Sequence, residues 1–358
     1  MRVGARLAIL MIDRYLLGKD WIIMSAPPRV HPRNGETVSV IGAGRVGTAL
    51  AVALAAAGHE IVAVSTVSNR DRVGRLLPGT PVLPPDEAAT GDLVIIAVPD
   101  DVLAGLVRGL AAAGAFRPGQ LVVHTSGAHG LEPLRPAEQR GTLIAAVHPV
   151  MTFTEFDAPA SAGAGPRASA ASPSLVAPVA SLPALLSPGD AGPGAEATRT
   201  EDVTFGVTAE KAARRRAAKL VTDLGGIPEW IAERDRTLYH AALAHGANHL
   251  VTLVNEARDR LRDAGVDNPE RVLRPLLQAA LDNSLALGDA ALTGPVSRGD
   301  AGTVAGHLAA LGATAPGSVP PYLALARRTA DRAIAAGRLR PADAVPLLEI
   351  VQAPRERV

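Results

Sequence analysis

Apolar residues along this chain recur with two different periods, and the change from one to the other divides it. From Thr37 short apolar runs of strand length alternate with longer helical stretches. TVSVI, HEIVAV, DLVIIAV, QLVVHTS and TLIAAVHP read as buried strands. TALAVALAAAG, closed by Gly58, and DDVLAGLVRGLAAAG read as helices between them. Strands alternating with helices predict a parallel sheet covered on both faces. After DVTFGVTA and a charged helix, GGIPEWIA completes the sheet. From Arg234 onward the period is helical throughout, beginning with DRTLYHAALAHGANHLVTLVNEARDRLRDAG. No repeat of solenoid length interrupts it, so a helical domain is expected.

Two stretches fall outside this pattern. Residues 1–35 hold short apolar runs broken by Asp13, Arg14, Lys19 and Asp20, then a Pro-rich lead-in after Met24. None approaches the roughly 20 residues of a membrane span, and no signal-peptide cleavage pattern follows. We read them as an N-terminal extension. Residues 157–200 are dominated by Ala, Pro, Ser and Gly, which is expected to form a disordered insertion. The expected organisation is therefore a sheet domain at 36–156 plus 201–233 and a helical domain at 234–358.

Composition narrows the function. With 358 residues and 47% apolar positions the chain can bury two cores. A net charge of +1 gives no general attraction to nucleic acid or an anionic membrane, and 3% aromatic content leaves little for base stacking. The absence of cysteine removes thiolate catalysis, Cys-ligated zinc and disulfides, and it suits a cytoplasmic protein.

Gly42-Ala43-Gly44-Arg45-Val46-Gly47 fits G-x-G-x-x-G between a strand and a helix, with a second strand following. In that setting the first glycine allows the tight turn, the second a close approach to pyrophosphate, and the third helix–strand packing. The helix N-terminus then offers free N–H groups to the phosphates. Where an acidic residue would bind the ribose of NAD, the second strand ends in Ser65, Thr66, Ser68, Asn69 and Arg70, with Arg72 beyond. Hydroxyls and guanidinium suit a 2′-phosphate, so NADPH is the expected cofactor. Val98 and Pro99, at the end of the third strand, should pass near it, while Asp100 and Asp101 would cap the next helix.

His124 and Ser126 end the fourth strand and His148 the fifth, which places all three on the same rim as candidate substrate contacts. On the long helix His245, Asn248, His249, Thr252, Asn255 and Glu256 fall within one arc of about 120°, and His240 lies opposite. Histidines and amides on an otherwise apolar helix suggest the wall of a polar cleft. His245 and His249 could also share a metal, but the H-E-x-x-H glutamate is missing, so no metal is expected. Arg298, in TGPVSRGD, could pair with a substrate carboxylate or brace the following helix with Asp300.

The order of these motifs, IGAGRVG, AVPDD, HTSG, HP, YHAALAHGANHL and TGPVSRGD, resembles one two-domain family over roughly residues 36–350. Its members join a Rossmann-like N-terminal domain to a helical domain of unknown function 2520. The family is similar to the β-hydroxyacid dehydrogenase, 6-phosphogluconate dehydrogenase and pyrroline-5-carboxylate reductase superfamily. The resemblance implies an α/β fold, a Rossmann-like doubly wound parallel sheet followed by an all-α C-terminal domain. It also implies an NADP-dependent oxidoreductase, since some members are assigned as ketopantoate reductase in pantothenate synthesis. β-Hydroxyacid dehydrogenases carry Lys-x-x-Asn-Asn here, and this chain has His245-Gly-Ala-Asn248-His249, so a Lys acid/base cannot be carried over. A histidine can transfer the proton near neutral pH. His245 is then the expected donor to a 2-oxo acid, with Asn248 and Ser126 orienting it. A reductase of a cyclic imine or other oxo acid and a non-catalytic NADPH sensor are the alternatives. The Ala/Leu-rich helices imply a homodimer through the helical domain.

Overall fold

A computed structural model describes residues 35–151 and 203–351. The expected N-terminal extension, apart from its last residue, and the 157–200 insertion lie outside the described residues. The chain divides into two compact units between Glu233 and Arg234.

The first unit is a seven-stranded sheet. Its elements are β1 (Thr37–Ile41), α1 (Arg45–Ala56), β2 (Glu60–Ser65), α2 (Arg70–Leu76), α3 (Pro85–Ala88), β3 (Leu93–Ile96), α4 (Asp100–Ala112), β4 (Leu121–His124), α5 (Arg135–Glu138), β5 (Leu143–Pro149), β6 (Val203–Ala209), α6 (Arg214–Asp223) and β7 (Gly226–Trp230). The strand order is β2-β1-β3-β4-β5-β6-β7. All neighbours are parallel except β5 and β6, which run antiparallel with His148 opposite Gly206. The sheet is thus parallel over its first five strands and turns direction once, at β6.

Strand residues alternate between two cores. Val38, Val40, Leu93, Ile95, Leu121 and Val123 pack on one face with Leu50 and Leu54 of α1 and Leu220 of α6. Ile41, Val94, Ile96, Val122 and Ile144 pack on the other with Leu103, Val107 and Leu110 of α4. Burial on both faces is why these strands read as continuous apolar runs. Because β1 lies between β2 and β3, the chain direction across the sheet reverses there, opening a crevice beyond the C-terminal ends of β1 and β3.

The second unit is helical: α7 (Arg236–Leu243), α8 (His249–Asp263), α9 (Pro269–Leu287), α10 (Ala301–Thr314), α11 (Val319–Ala335) and α12 (Pro341–Val351). Its core, with Val304, Ala330, Ala333, Ala344 and Leu347, lies among the last three helices. No helix of the described residues is long and apolar enough to cross a membrane.

Candidate cofactor and proton-donor sites

The Gly-rich turn leaves β1 and opens α1. Gly42 has φ of +91°, and the N–H groups of Gly42 and Ala43 both donate to the Ser65 carbonyl, at 2.9 and 2.8 Å. The turn is thereby tied to the end of β2. A Cβ on Gly42 would lie 2.5 Å from the Ala97 carbonyl oxygen and 2.8 Å from Val98 Cγ1, so the loop after β3 closes on it. A Cβ on Gly47 would lie 2.4 Å from the Gly42 oxygen and 3.0 Å from Val40, which is the close helix–strand approach. Gly44 differs: nothing comes nearer than 4.0 Å to a Cβ built there. Its outer face is open, directly at the N-terminus of α1, whose first turn carries no acidic side chain. An open backbone cradle at a helix N-terminus fits a pyrophosphate. Arg45 is exposed and Val46 partly buried on the first turn.

Of the residues expected around the adenosine ribose, Ser65 is buried and serves the turn through its carbonyl. Asn69 donates its N–H to Thr66 Oγ1 at 3.3 Å, shaping the loop before α2. Arg70 is exposed and Arg72 partly so. Val98 packs on the Gly42 turn and Pro99 is exposed at the N-cap of α4. Asp100 and Asp101 stand in the first turn of α4 without a side-chain cap hydrogen bond, so their negative charge acts on the helix dipole and not as the expected cap.

The loop after β4 is held together from within. His124 is fully buried; its Nδ1 accepts from the Ser126 N–H at 3.2 Å, which leaves Nε2 to donate to the Gly130 carbonyl at 2.6 Å. Both ring nitrogens are engaged in closing the loop, a task different from the expected substrate contact. Ser126, also buried, accepts from the His129 N–H at 3.1 Å. His148 sits partly buried on β5. One residue here was missed from sequence: Glu233 accepts the Leu131 N–H on both carboxylate oxygens, at 2.8 and 2.9 Å. It follows β7 by three positions, and nothing in WIAERD marks it as a loop anchor.

In the helical unit, Ala244–Asn248 form a π-turn between α7 and α8. An unbroken α-helix, which the apolar spacing predicts, would put His240 opposite His249. A π-turn adds about one residue to the turn and rotates α7 by roughly 100° against α8, taking His240 off the opposite face. The only local hint was Gly246, a poor helix former, in mid-helix. His245, Asn248 and His249 are all exposed here. The Nδ1 atoms of His245 and His249 are 3.1 Å apart, with the rings edge-on at 5.2 Å between centroids. At that separation one nitrogen carries a proton and the other accepts it. Among the described residues no group of three or more potential metal ligands assembles. Arg298 is exposed at the end of a short 3-10 turn, while Asp300 caps α10, accepting the Thr303 N–H at 3.0 Å.

Comparison with known proteins matches both units of the chain. A Rossmann-like domain is matched over residues 28–149 and the domain of unknown function DUF2520 over residues 203–329. A glycerol-3-phosphate dehydrogenase [NAD(P)+] of Halorhodospira halophila is 37% identical over 108 residues, which is 26% of this chain and 31% of that protein. The chain thus spans about a third of that relative's length. Among solved structures, a candidate NADP oxidoreductase from Bacteroides fragilis superposes with a TM-score of 0.61 at 20% identity, covering 83% of this chain and 98% of that one. A Thermotoga maritima protein superposes with a TM-score of 0.52 at 17% identity, covering 84% and 99%. These likenesses show the fold. The chain carries, in order, a Rossmann-like domain and the domain of unknown function 2520, the two-domain organisation that its motifs resemble.

Proposed function

We propose that the protein is an NADPH-dependent reductase of a 2-oxo acid, with ketopantoate the favoured substrate. The observation that carries this reading is the open face at Gly44 in front of the α1 N-terminus, at the point where the sheet order reverses. The backbone N–H groups of Arg45 and Val46 would hold the pyrophosphate, since the Gly44 N–H already donates to the Gly42 carbonyl at 2.7 Å, and Arg70 and Arg72 would hold the 2′-phosphate. The H. halophila relative, by its name, uses NAD(P)+, which supports a nicotinamide dinucleotide. When bound, NADPH supplies the hydride.

The chain's own part is the proton. With His249 donating from Nδ1, His245 accepts on Nδ1 and keeps its proton on Nε2, the proton it would give to the substrate oxygen. As it does so, the His249 Nδ1 proton passes to His245 Nδ1 across the 3.1 Å contact, and the exposed His249 ring takes a proton from solvent on Nε2, so both rings end neutral. Asn248, on the same π-turn, orients the carbonyl; Arg298, whose turn lies beside the second half of α8, would reach the carboxylate from a partner subunit. Ser126 acts by shaping the loop after β4.

The test is NADPH oxidation by the purified full chain with ketopantoate, run beside NADH and beside pyrroline-5-carboxylate. Turnover should require NADPH and ketopantoate, and His245→Ala should lower kcat by about 10²–10⁴-fold. Turnover of the imine alone would replace the substrate assignment. NADPH binding without turnover on either would leave a sensor. Full activity of His245→Ala would remove the donor role.

A further inference from the structure

A cleft of about 370 Å³ lies wholly within the helical unit, walled by the second half of α8, the turn at residues 293–296 and α11. That volume is in the range of small-ligand sites, which combine an apolar lining with a few convergent polar groups. Leu253 and Leu325 supply apolar wall, and Glu256, Arg260, Ser318 and Tyr322 are the polar groups that matter.

All but one of these four have partners. Arg260 donates from Nε to Asp263 Oδ2 at 2.8 Å and from Nη1 to Ser318 Oγ at 3.3 Å. Tyr322 Oη pairs with His307 Nδ1 at 2.8 Å. Glu256, partly buried one turn before Arg260, makes no hydrogen bond or ion pair among the described residues. A Glu and an Arg at that spacing ordinarily pair, but Arg260 is turned away to Asp263 and Ser318. The cleft therefore presents one uncompensated carboxylate beside apolar wall. A carboxylate partly withdrawn from water is stabilised by a cation that brings N–H donors to it.

We propose that this cleft binds a small organic cation, an ammonium group on an apolar body. The ammonium donates to Glu256 and the body packs between Leu253 and Leu325. Glu256 lies 11 residues beyond His245, about 16 Å along the helix, so the two groups do not act on one small molecule. The proposal does not rest on the reductase reading.

The experiment is calorimetric titration of the full chain with cyclohexylammonium, with cyclohexanol and cyclohexanecarboxylate as neutral and anionic analogues. Cyclohexylammonium should bind at least ~10-fold more tightly than either analogue. Glu256→Gln and Glu256→Ala should each remove that preference while leaving cyclohexanol unchanged. Equal binding of cyclohexanol, unchanged affinity in both variants, or no saturable binding to the wild type would overturn it. If a second copy of the chain fills the cleft, cyclohexylammonium fails to bind and Glu256→Gln alters the oligomeric state, which also overturns it.

Discussion

At the scale of single residues, the three glycines of the turn have three different reasons to be glycine. Gly42 needs its positive φ, Gly47 needs the missing Cβ, and Gly44 needs neither within the chain itself. Gly47→Ala forces a methyl to 2.4 Å from the Gly42 oxygen, and overpacking of this kind costs about 1–3 kcal/mol. Urea unfolding should show that loss for Gly47→Ala and almost none for Gly44→Ala. The glycines were legible in sequence because a motif of fixed spacing between a strand and a helix carries its own geometry. His124 was not. Its position at a strand end was correct, but its role depends on where the Ser126 N–H and the Gly130 carbonyl fold back, and no local pattern encodes that.

At the scale of elements, strands and helices of the first unit followed from period and burial, because a strand covered on both faces is apolar at every position. The direction of β6 did not follow, since DVTFGVTA reads the same whether it runs parallel or antiparallel to β5. The π-turn escaped for a related reason: one extra residue in a helical turn leaves the apolar spacing on either side intact and changes only the phase between them. Glu233 shows how elements far apart in sequence are joined. It ties the end of the β7 segment to the loop after β4 through the Leu131 N–H. Glu233→Ala leaves that partly buried donor without its acceptor, which should cost on the order of 1 kcal/mol. Hydrogen exchange should report faster exchange at Leu131 than in the wild type. Unchanged protection would mean that the loop is held by His124 alone.

At the scale of the whole molecule, the helical unit keeps its core among α10–α12, whereas α8 has no buried residue and α9 only Pro269 and Leu273. Apart from Leu253, which walls the cleft, Leu250, Val251, Val272, Leu276, Leu281 and Leu285 are exposed on those two helices. We propose that apolar surface so concentrated serves as an interaction face. The expectation is a homodimer through α8 and α9, with a solution mass by light scattering of twice the 36.7 kDa chain. Leu276→Glu should shift it toward the single-chain mass, and a monomeric wild type would contradict the expectation.

If the turn at Gly42–Gly47 holds NADPH, calorimetric titration of the cofactor will show it. Wild-type protein should bind NADPH more tightly than NADH, and Arg70→Glu should reduce that preference by about 10-fold or more, as loss of a charge-assisted pair predicts. Gly44→Ala, with its melting temperature unchanged, should bind both cofactors at least ~10-fold more weakly, because its methyl occupies the open face at the α1 N-terminus. Undiminished NADPH binding by a folded Gly44→Ala protein would place the cofactor away from this turn.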